Sequence, residues 1–232
     1  MPATDRLILA LDAADRDTAL EWVRGLRPEL RWVKVGLELF VAAGPELVRT
    51  LRGQGLEVFL DLKLHDIPNT VAGAVRAAAR LEVQMLTLHA GGGKPMLEAA
   101  VAAAREAPKP PLLLGVTVLT SLGPADLQAL DLPGSAADRV LAWAGLSQAA
   151  GLGGVVASGH EAAELRRRFP GLKLVVPGIR PAGAQPQDQA RVMTPAAALR
   201  AGADYLVVGR AITAAADPRA AWAAVAAEIE GA

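Results

Sequence analysis

The sequence contains no cysteine, only 3% aromatic residues and, among 24 basic side chains, only five lysines. The missing cysteines exclude disulfides, thiolate metal sites, iron–sulfur clusters and a cysteine nucleophile together, and they suit a reducing compartment. With so few rings the core must be assembled from Ala, Val, Leu and Ile, within an apolar fraction of 52%. No charge of one sign dominates. The 24 basic and 24 acidic residues cancel and the pI is about 6.9, which argues against a nucleic-acid polyanion or an anionic membrane as partner. No apolar run approaches the ~20 residues that cross a bilayer, and the first residues lack the basic start and long apolar stretch of a signal peptide. A soluble cytoplasmic protein is the expectation. The scarcity of lysine makes Lys34, Lys63, Lys94, Lys109 and Lys173 worth locating one by one.

What is present is a regular alternation. Short β-type apolar runs fall at 7–11, 31–35, 57–62, 84–88, 112–116, 154–157, 173–176 and 205–208. Amphipathic helical stretches fall at 15–26, 45–54, 70–81, 96–106, 136–150, 161–169, 195–201 and 218–229. Asp15 and Thr194 stand where helix caps are needed, Pro45, Pro195 and Pro218 at first-turn positions, and Gly55, Gly151 and Gly202 just past helix ends. Eight strands and eight helices in 232 residues give about 29 residues per unit, close to a minimal βα repeat. Strict alternation implies a parallel sheet, and eight units close into a (β/α)8 TIM barrel formed by residues 1–232 as one domain. An open doubly wound sheet is the rival, but the turn after the first strand reads Asp12-Ala13-Ala14-Asp15 and lacks its glycine-rich fingerprint. The segment 181–189 has little secondary-structure signal, and inside a compact barrel such a loop reads as functional.

Polar side chains collect where the strands end. Strand one runs into Asp12, strand two contains Lys34, and strand three ends in Asp61-Leu62-Lys63-Leu64-His65-Asp66. Later strands reach His89, Thr117, Ser158, Pro177-Gly178-Ile179-Arg180 and Gly209-Arg210. The carboxyl ends of barrel strands are where barrel enzymes build their sites. Asp61 and Lys63 are two apart on a strand and share a face, with Leu60 and Leu62 on the other. Val33 and Val35 flank Lys34 in the same way and turn it inward. A buried lysine without partners loses its proton or destabilises the fold, and an array of Lys34, Asp61, Lys63 and Asp66 keeps each charge paired. An ion-pair plug is the competing reading, but buried pairs stabilise little. Lys63, flanked by carboxylates, should stay protonated, which suits a proton donor better than a Schiff-base nucleophile.

Gly209 and Arg210 follow strand eight, where exposed backbone N–H groups and a guanidinium fork suit an anion. The loop after strand seven adds Arg180, Gln185, Gln187 and Gln189, so the pair of loops suits a phosphomonoester dianion. Three scattered histidines, His65, His89 and His160, have no paired spacing, and no dedicated metal site is expected. Gly91-Gly92-Gly93 reads as a tight turn, Arg166-Arg167-Arg168 as a solvated helix face, and Trp22, Trp32, Trp143 and Trp222 as core or interface residues.

At Asp61-Leu62-Lys63-Leu64-His65-Asp66-Ile67-Pro68-Asn69-Thr70 the chain resembles the bacterial form of the orotidine 5′-phosphate decarboxylase family, whose signature is D-x-K-x-x-D-I-P-x-T. The resemblance spans nearly the whole chain. Leu9-Ala10-Leu11-Asp12, Val33-Lys34-Val35-Gly36, Val118-Leu119-Thr120-Ser121, Pro177-Gly178-Ile179-Arg180-Pro181, Asp188-Gln189 and Val208-Gly209-Arg210 recur there in this order. It implies conversion of orotidine 5′-monophosphate to UMP and carbon dioxide, the last step of de novo pyrimidine nucleotide synthesis, without metal or organic cofactor. It implies that Lys63 protonates C6 of the pyrimidine. Lys34, Asp61 and Asp66 complete the charged array, and Asp66, Ile67 and Thr70 reach the site from the partner in a homodimer. Asp12 and Lys34 would hold the ribose, Thr120 or Ser121 the pyrimidine edge, and Gln189, Arg180, Gly209 and Arg210 the phosphate end, with a closing loop that begins at Pro177. The departures are Ala157-Ser158-Gly159-His160, where relatives often carry Cys-Ser-Pro-His, and Val176, where threonine is frequent.

Two rival functions compete with this reading. A sugar-phosphate aldolase or decarboxylase of the same superfamily works through a metal-bound enediolate and needs further acidic ligands near strands two and three, where Glu38 is the nearest unassigned carboxylate. A non-catalytic phosphometabolite sensor leaves the lysine array unexplained.

Overall fold

Eight parallel strands pair in chain order and close on themselves: β1 (Leu7–Leu11), β2 (Trp32–Gly36), β3 (Glu57–Leu64), β4 (Met85–His89), β5 (Leu112–Val116), β6 (Gly154–Val156), β7 (Lys173–Val176) and β8 (Tyr205–Val208). β8 returns to β1 through the register Leu7↔Leu206, Ile8↔Val207 and Leu9↔Val208. The computed structural model describes residues 3–181 and 192–232. Outside the barrel run α1 (Arg16–Leu26), α2 (Leu37–Gly53), α3 (Pro68–Ala79), α4 (Lys94–Arg105), α5 (Pro124–Ala129), α6 (Ala136–Ala149), α7 (Gly159–Arg168), α8 (Pro195–Arg200), α9 (Arg210–Thr213) and α10 (Pro218–Glu230). This is the (β/α)8 barrel that the alternation predicts. Among the described residues no helix is long and apolar enough to cross a membrane.

The two-residue period of each strand sorts its side chains into two cores. Leu7, Leu9, Leu11, Val33, Val35, Leu60, Leu86 and Leu88 point outward and are buried against the helices. Ile8, Ala10, Trp32, Phe59, Met85, Leu114, Val175 and Val207 point inward and fill the barrel. Trp32 and Tyr205, at the starts of β2 and β8, close the amino-terminal end with rings 5.5 Å apart in an edge-to-face arrangement. One step further along the same inward columns, Trp32 gives way to Lys34 and Phe59 to Asp61. The interior is thus apolar at one end and charged at the other.

Local signals behave as their chemistry demands. Asp15 accepts from the Thr18 N–H at 2.9 Å, and Thr194 accepts from the Ala197 N–H at 3.3 Å. Gly55, Gly151 and Gly202 have φ of 78°, 89° and 100°, the left-handed conformation their positions past helix ends require. Differences lie where periodicity is short or interrupted. α2 starts at Leu37, ahead of the predicted 45–54, because two helical segments join across Gly44 (φ 64°) with Pro45 opening the second. α5 and α9 have six and four residues, too few to show a helical period. Arg166 is not a solvated side chain: it donates to the carbonyls of Gly202, Pro170 and Leu172 and pairs with Asp204, tying α7 to the base of β8. Arg167 and Arg168 do lie on an exposed face, both on Glu164.

Candidate active site

The charged end of the barrel holds four side chains in a chain of ion pairs. Lys34 Nζ donates to Asp12 Oδ1 at 3.0 Å and stands 3.6 Å from Asp61 Oδ2, while Lys63 Nζ donates to Asp61 Oδ2 at 2.8 Å. Lys34 and Asp61 side chains are only 12% and 11% exposed, so they lie beneath Lys63 and Asp12 at 28% and 54%. Burial works against the charged form of Asp61, but the ammonium groups of Lys34 and Lys63 and the hydrogen bonds from Lys63 and Thr87 outweigh it. The carboxyl is held below the usual carboxylate range. Gly36 makes room for this: a Cβ there would stand 3.1 Å from Lys34 Nζ.

Strand alternation alone does not account for Lys63. The β3–β4 register passes from Leu60↔Leu86 to Leu64↔Leu88, so four steps on β3 face two on β4. Lys63 takes up the excess in a left-handed conformation, φ 50°, which is unfavourable for a residue with a Cβ. Its N–H donates to Thr87 Oγ1 at 2.9 Å, and the same hydroxyl donates to Asp61 Oδ1 at 2.9 Å. Next to them the His65 and His89 rings stand 5.2 Å apart. Burial, together with His65 and Lys63, holds the His89 imidazole below its usual value, against the pull of Asp61.

Across the barrel mouth the ends of β7 and β8 supply cations. Gly178 (φ 75°) turns the chain after β7, and Arg180 N donates to Met193 O at 3.0 Å while Met193 N donates to Gly178 O at 3.3 Å. Both stems of the intervening loop are therefore pinned at the rim. Arg180 is buried at 7% exposure, and Arg210 opens α9 directly after Gly209. A cavity of about 220 Å³ connects the two halves, lined by Asp12, Lys34, Asp61 and Lys63 on one side and Pro177, Arg180, Gly209 and Arg210 on the other. Val116, Val118, Val156 and Thr120 form an apolar wall with one hydroxyl between them. A flat, partly polar ring carrying an anionic tail matches this division of charge.

Residues 5–225 match the orotidine 5′-phosphate decarboxylase / HUMPS family. The chain belongs to that family. It is 55% identical over its full length to the protein named orotidine 5′-phosphate decarboxylase of Halorhodospira halophila, covering 99% of that chain. It is 53% identical to the one from Nitrosococcus oceani, with 97% of each chain covered. The crystal structure of orotidine 5′-phosphate decarboxylase from Lactobacillus acidophilus superposes with a TM-score of 0.86 at 36% identity, covering 96% of this chain and 98% of that one.

Not every residue of the family signature meets in this cavity. Lys34, Asp61 and Lys63 converge as the sequence predicts, but in the single chain their fourth partner is Asp12, not Asp66. Asp66 is exposed, accepts from the Ile67 N–H at 2.6 Å, and forms no salt bridge within the chain among the described residues. Ile67 and Thr70 are exposed as well and line no part of the cavity. The physical reason is local: the chain leaves β3 at Leu64 and turns outward into α3, so the second half of the signature faces away. Of the alternatives Thr120 and Ser121, Thr120 lines the cavity and Ser121 is exposed outside it. Thr117 donates to the Val156 carbonyl at 2.9 Å and also lies outside. Gln185, Gln187, Asp188 and Gln189 lie outside the described residues. Among the described residues no three His, Asp or Glu side chains are arranged to hold a metal, and Glu38 is exposed on α2. Sequence reasoning missed Thr87 and Gly36. The only signal for Thr87 was a polar residue inward of His89 in an otherwise apolar strand.

Proposed function

We propose that this chain, as one catalytic domain, decarboxylates orotidine 5′-monophosphate to UMP and carbon dioxide, with Lys63 as the proton donor. The observation that carries the reading is the Lys34, Asp61 and Lys63 cluster, buried at Asp61 and half-buried at the lysines, facing two arginines across one cavity. The phosphate is held by Arg180, Arg210 and the backbone at Gly209, and the ribose hydroxyls by Asp12 and Lys34. The pyrimidine lies against the Val116, Val118 and Val156 wall with Thr120 at its edge, and Gln189, which lies outside the described residues, is assigned to the phosphate end.

The chemistry follows from fixed charge. As the carboxylate leaves C6, the electron pair of the broken C–C bond stays on carbon, and the Lys63 ammonium delivers the proton that forms the new C–H bond. An ammonium already in place stabilises that carbanion without reorganisation. Asp61, whose carboxyl is held below the usual carboxylate range, accepts from Lys63 Nζ and aims it, and its charge near the substrate carboxylate opposes the ground state. Binding energy from the remote phosphate serves to close the site around the reacting carbon. Removing an electron-sink cofactor from decarboxylation demands the upper part of the ~8–23 kcal/mol by which enzymes lower barriers.

The reading includes a cytoplasmic homodimer that brings Asp66, Ile67 and Thr70 to the partner's cavity. Ile67 is 67% exposed, and Leu37 and Val41, one turn apart at the start of α2, are 52% and 82% exposed. These apolar side chains lie at the same end of the barrel as the cavity and suit a second copy of the chain. The test is direct: protein stripped with EDTA is mixed with orotidine 5′-monophosphate and the ultraviolet absorbance of the pyrimidine is followed. Turnover undiminished by EDTA supports the reading over a metal-bound enediolate, and no absorbance change from folded protein overturns it.

A further inference from the structure

We propose that Thr87 is the positioning residue of the charged pair, its hydroxyl fixing the Lys63 backbone and the Asp61 carboxylate in one arrangement. The inference rests on the reading of Lys63 as proton donor and adds what aims it. A threonine hydroxyl offers one proton and two lone pairs. Here the proton goes to Asp61 Oδ1 and one lone pair accepts the Lys63 N–H, both at 2.9 Å. Thr87 is fully buried at 0% exposure, so solvent does not stand in for either bond.

The position in the sheet makes this hydroxyl more than a packing feature. Between Leu60 and Leu64 the β3–β4 ladder slips, and Lys63 adopts φ 50° at that slip. Its N–H would ordinarily bond a strand neighbour; it bonds a side chain instead. The same side chain then holds the carboxylate whose other oxygen receives Lys63 Nζ at 2.8 Å. Thr87, Asp61 and Lys63 thus form a closed ring of three hydrogen bonds in which the ammonium's root and its counter-ion share one anchor. Thr117 provides a contrast: it is equally buried, but its hydroxyl serves only the Val156 carbonyl and no charged group.

Thr87→Val preserves the shape and deletes both bonds, whereas Thr87→Ser keeps the hydroxyl and deletes a methyl. Displacing a reacting group by an ångström costs on the order of 100-fold, so Thr87→Val should lower kcat by about that factor. KM should stay within about threefold, because Thr87 lines no part of the cavity. Thr87→Ser should stay within about threefold of the parent in kcat, since the same two bonds can form. Should Thr87→Val not fold, Thr87→Ala is measured against the same thresholds. A kcat within about threefold of the parent in the hydroxyl-free variant overturns the inference, as does a serine variant that falls as far as the valine one. Lys63→Ala is assayed alongside. If it keeps turnover, the proton-donor reading itself fails; if it is inactive while Thr87→Val is not, only the positioning role fails.

Discussion

Replacing Lys63 by alanine removes an ammonium 2.8 Å from Asp61 Oδ2 but keeps the Cβ, so the unfavourable φ of 50° burdens both proteins alike. The comparison therefore isolates the charge and its proton from backbone strain. A positioned general acid contributes about 10²–10⁴-fold. A preorganised donor to developing charge contributes about 10²–10³-fold. Both effects act on one step through one nitrogen, so they do not simply multiply, and a fall in kcat of about 10²–10⁴-fold is expected. Stability should change far less. Breaking a buried ion pair costs about 3–5 kcal/mol when the remaining charge is left alone. Asp61 keeps Lys34 at 3.6 Å and the Thr87 hydroxyl, and Lys63 is itself 28% exposed. A loss of about 1–2 kcal/mol is the expectation, well inside the margin of a folded domain. Turnover is followed by pyrimidine absorbance, folding by thermal melting and assembly by size-exclusion chromatography. A folded Lys63→Ala protein with turnover within about tenfold of the parent refutes the assigned role.

The same geometry yields further expectations. Arg210→Ala should greatly weaken the preference for orotidine 5′-monophosphate over the bare nucleoside, measured as the ratio of kcat/KM values; an unchanged ratio sinks the phosphate assignment. Gly36→Ala places a Cβ 3.1 Å from Lys34 Nζ and 3.6 Å from Asp12 Oδ1, so steady-state kinetics should show kcat/KM down about tenfold with little change in Tm. Asp61 has a lowered folded-state pKa, so its charge stabilises the fold above the ordinary carboxylate value of 3.8 and loses that effect as pH falls through the folded value. Urea unfolding should then show Asp61→Asn less stable than the parent near neutrality, with the gap closing in acid; a gap that widens on acidification contradicts the assignment. If Asp66 serves the partner's site, mixing the inactive Lys63→Ala and Asp66→Ala chains should restore about a quarter of parental activity, because half the dimers carry one intact site. No recovery in the mixture argues against a shared site.

Much of the fold is legible because a barrel is written in short, repeated units. The inward and outward columns of β1 and β2 alternate without interruption, and Lys34 can be placed inside from Val33 and Val35 alone. Helix limits were readable where one residue forces them, as at Asp15 and Thr194. They were not readable at α2, where Gly44 interrupts the period, or at α5 and α9, which complete at most a turn or two. The Arg166 side chain departs from the solvated face expected of it for a different reason. Its partners are carbonyls and Asp204, brought near by the barrel's closure and invisible in a run of three arginines.

The residues of the candidate site divide along the same line. Asp61 and Lys63 do meet, but not by the two-residue alternation that first suggested it. Regular alternation would have continued the ladder from Leu60↔Leu86, whereas the strand slips by two residues before Leu64↔Leu88. Sequence spacing gave the right neighbours because the slip returns Lys63 to the inward face at the expense of a left-handed backbone. Only a residue on the adjacent strand reveals how that conformation is held, and that residue is Thr87. The second half of the signature shows the converse. Asp66, Ile67 and Thr70 lie within seven residues of Lys63 in the chain, yet all three are exposed and turned outward. Proximity in sequence therefore implies one cavity only for the part of the motif still on β3. For the remainder, which leaves the strand at Leu64 and is exposed, nearness in the chain carries no such implication.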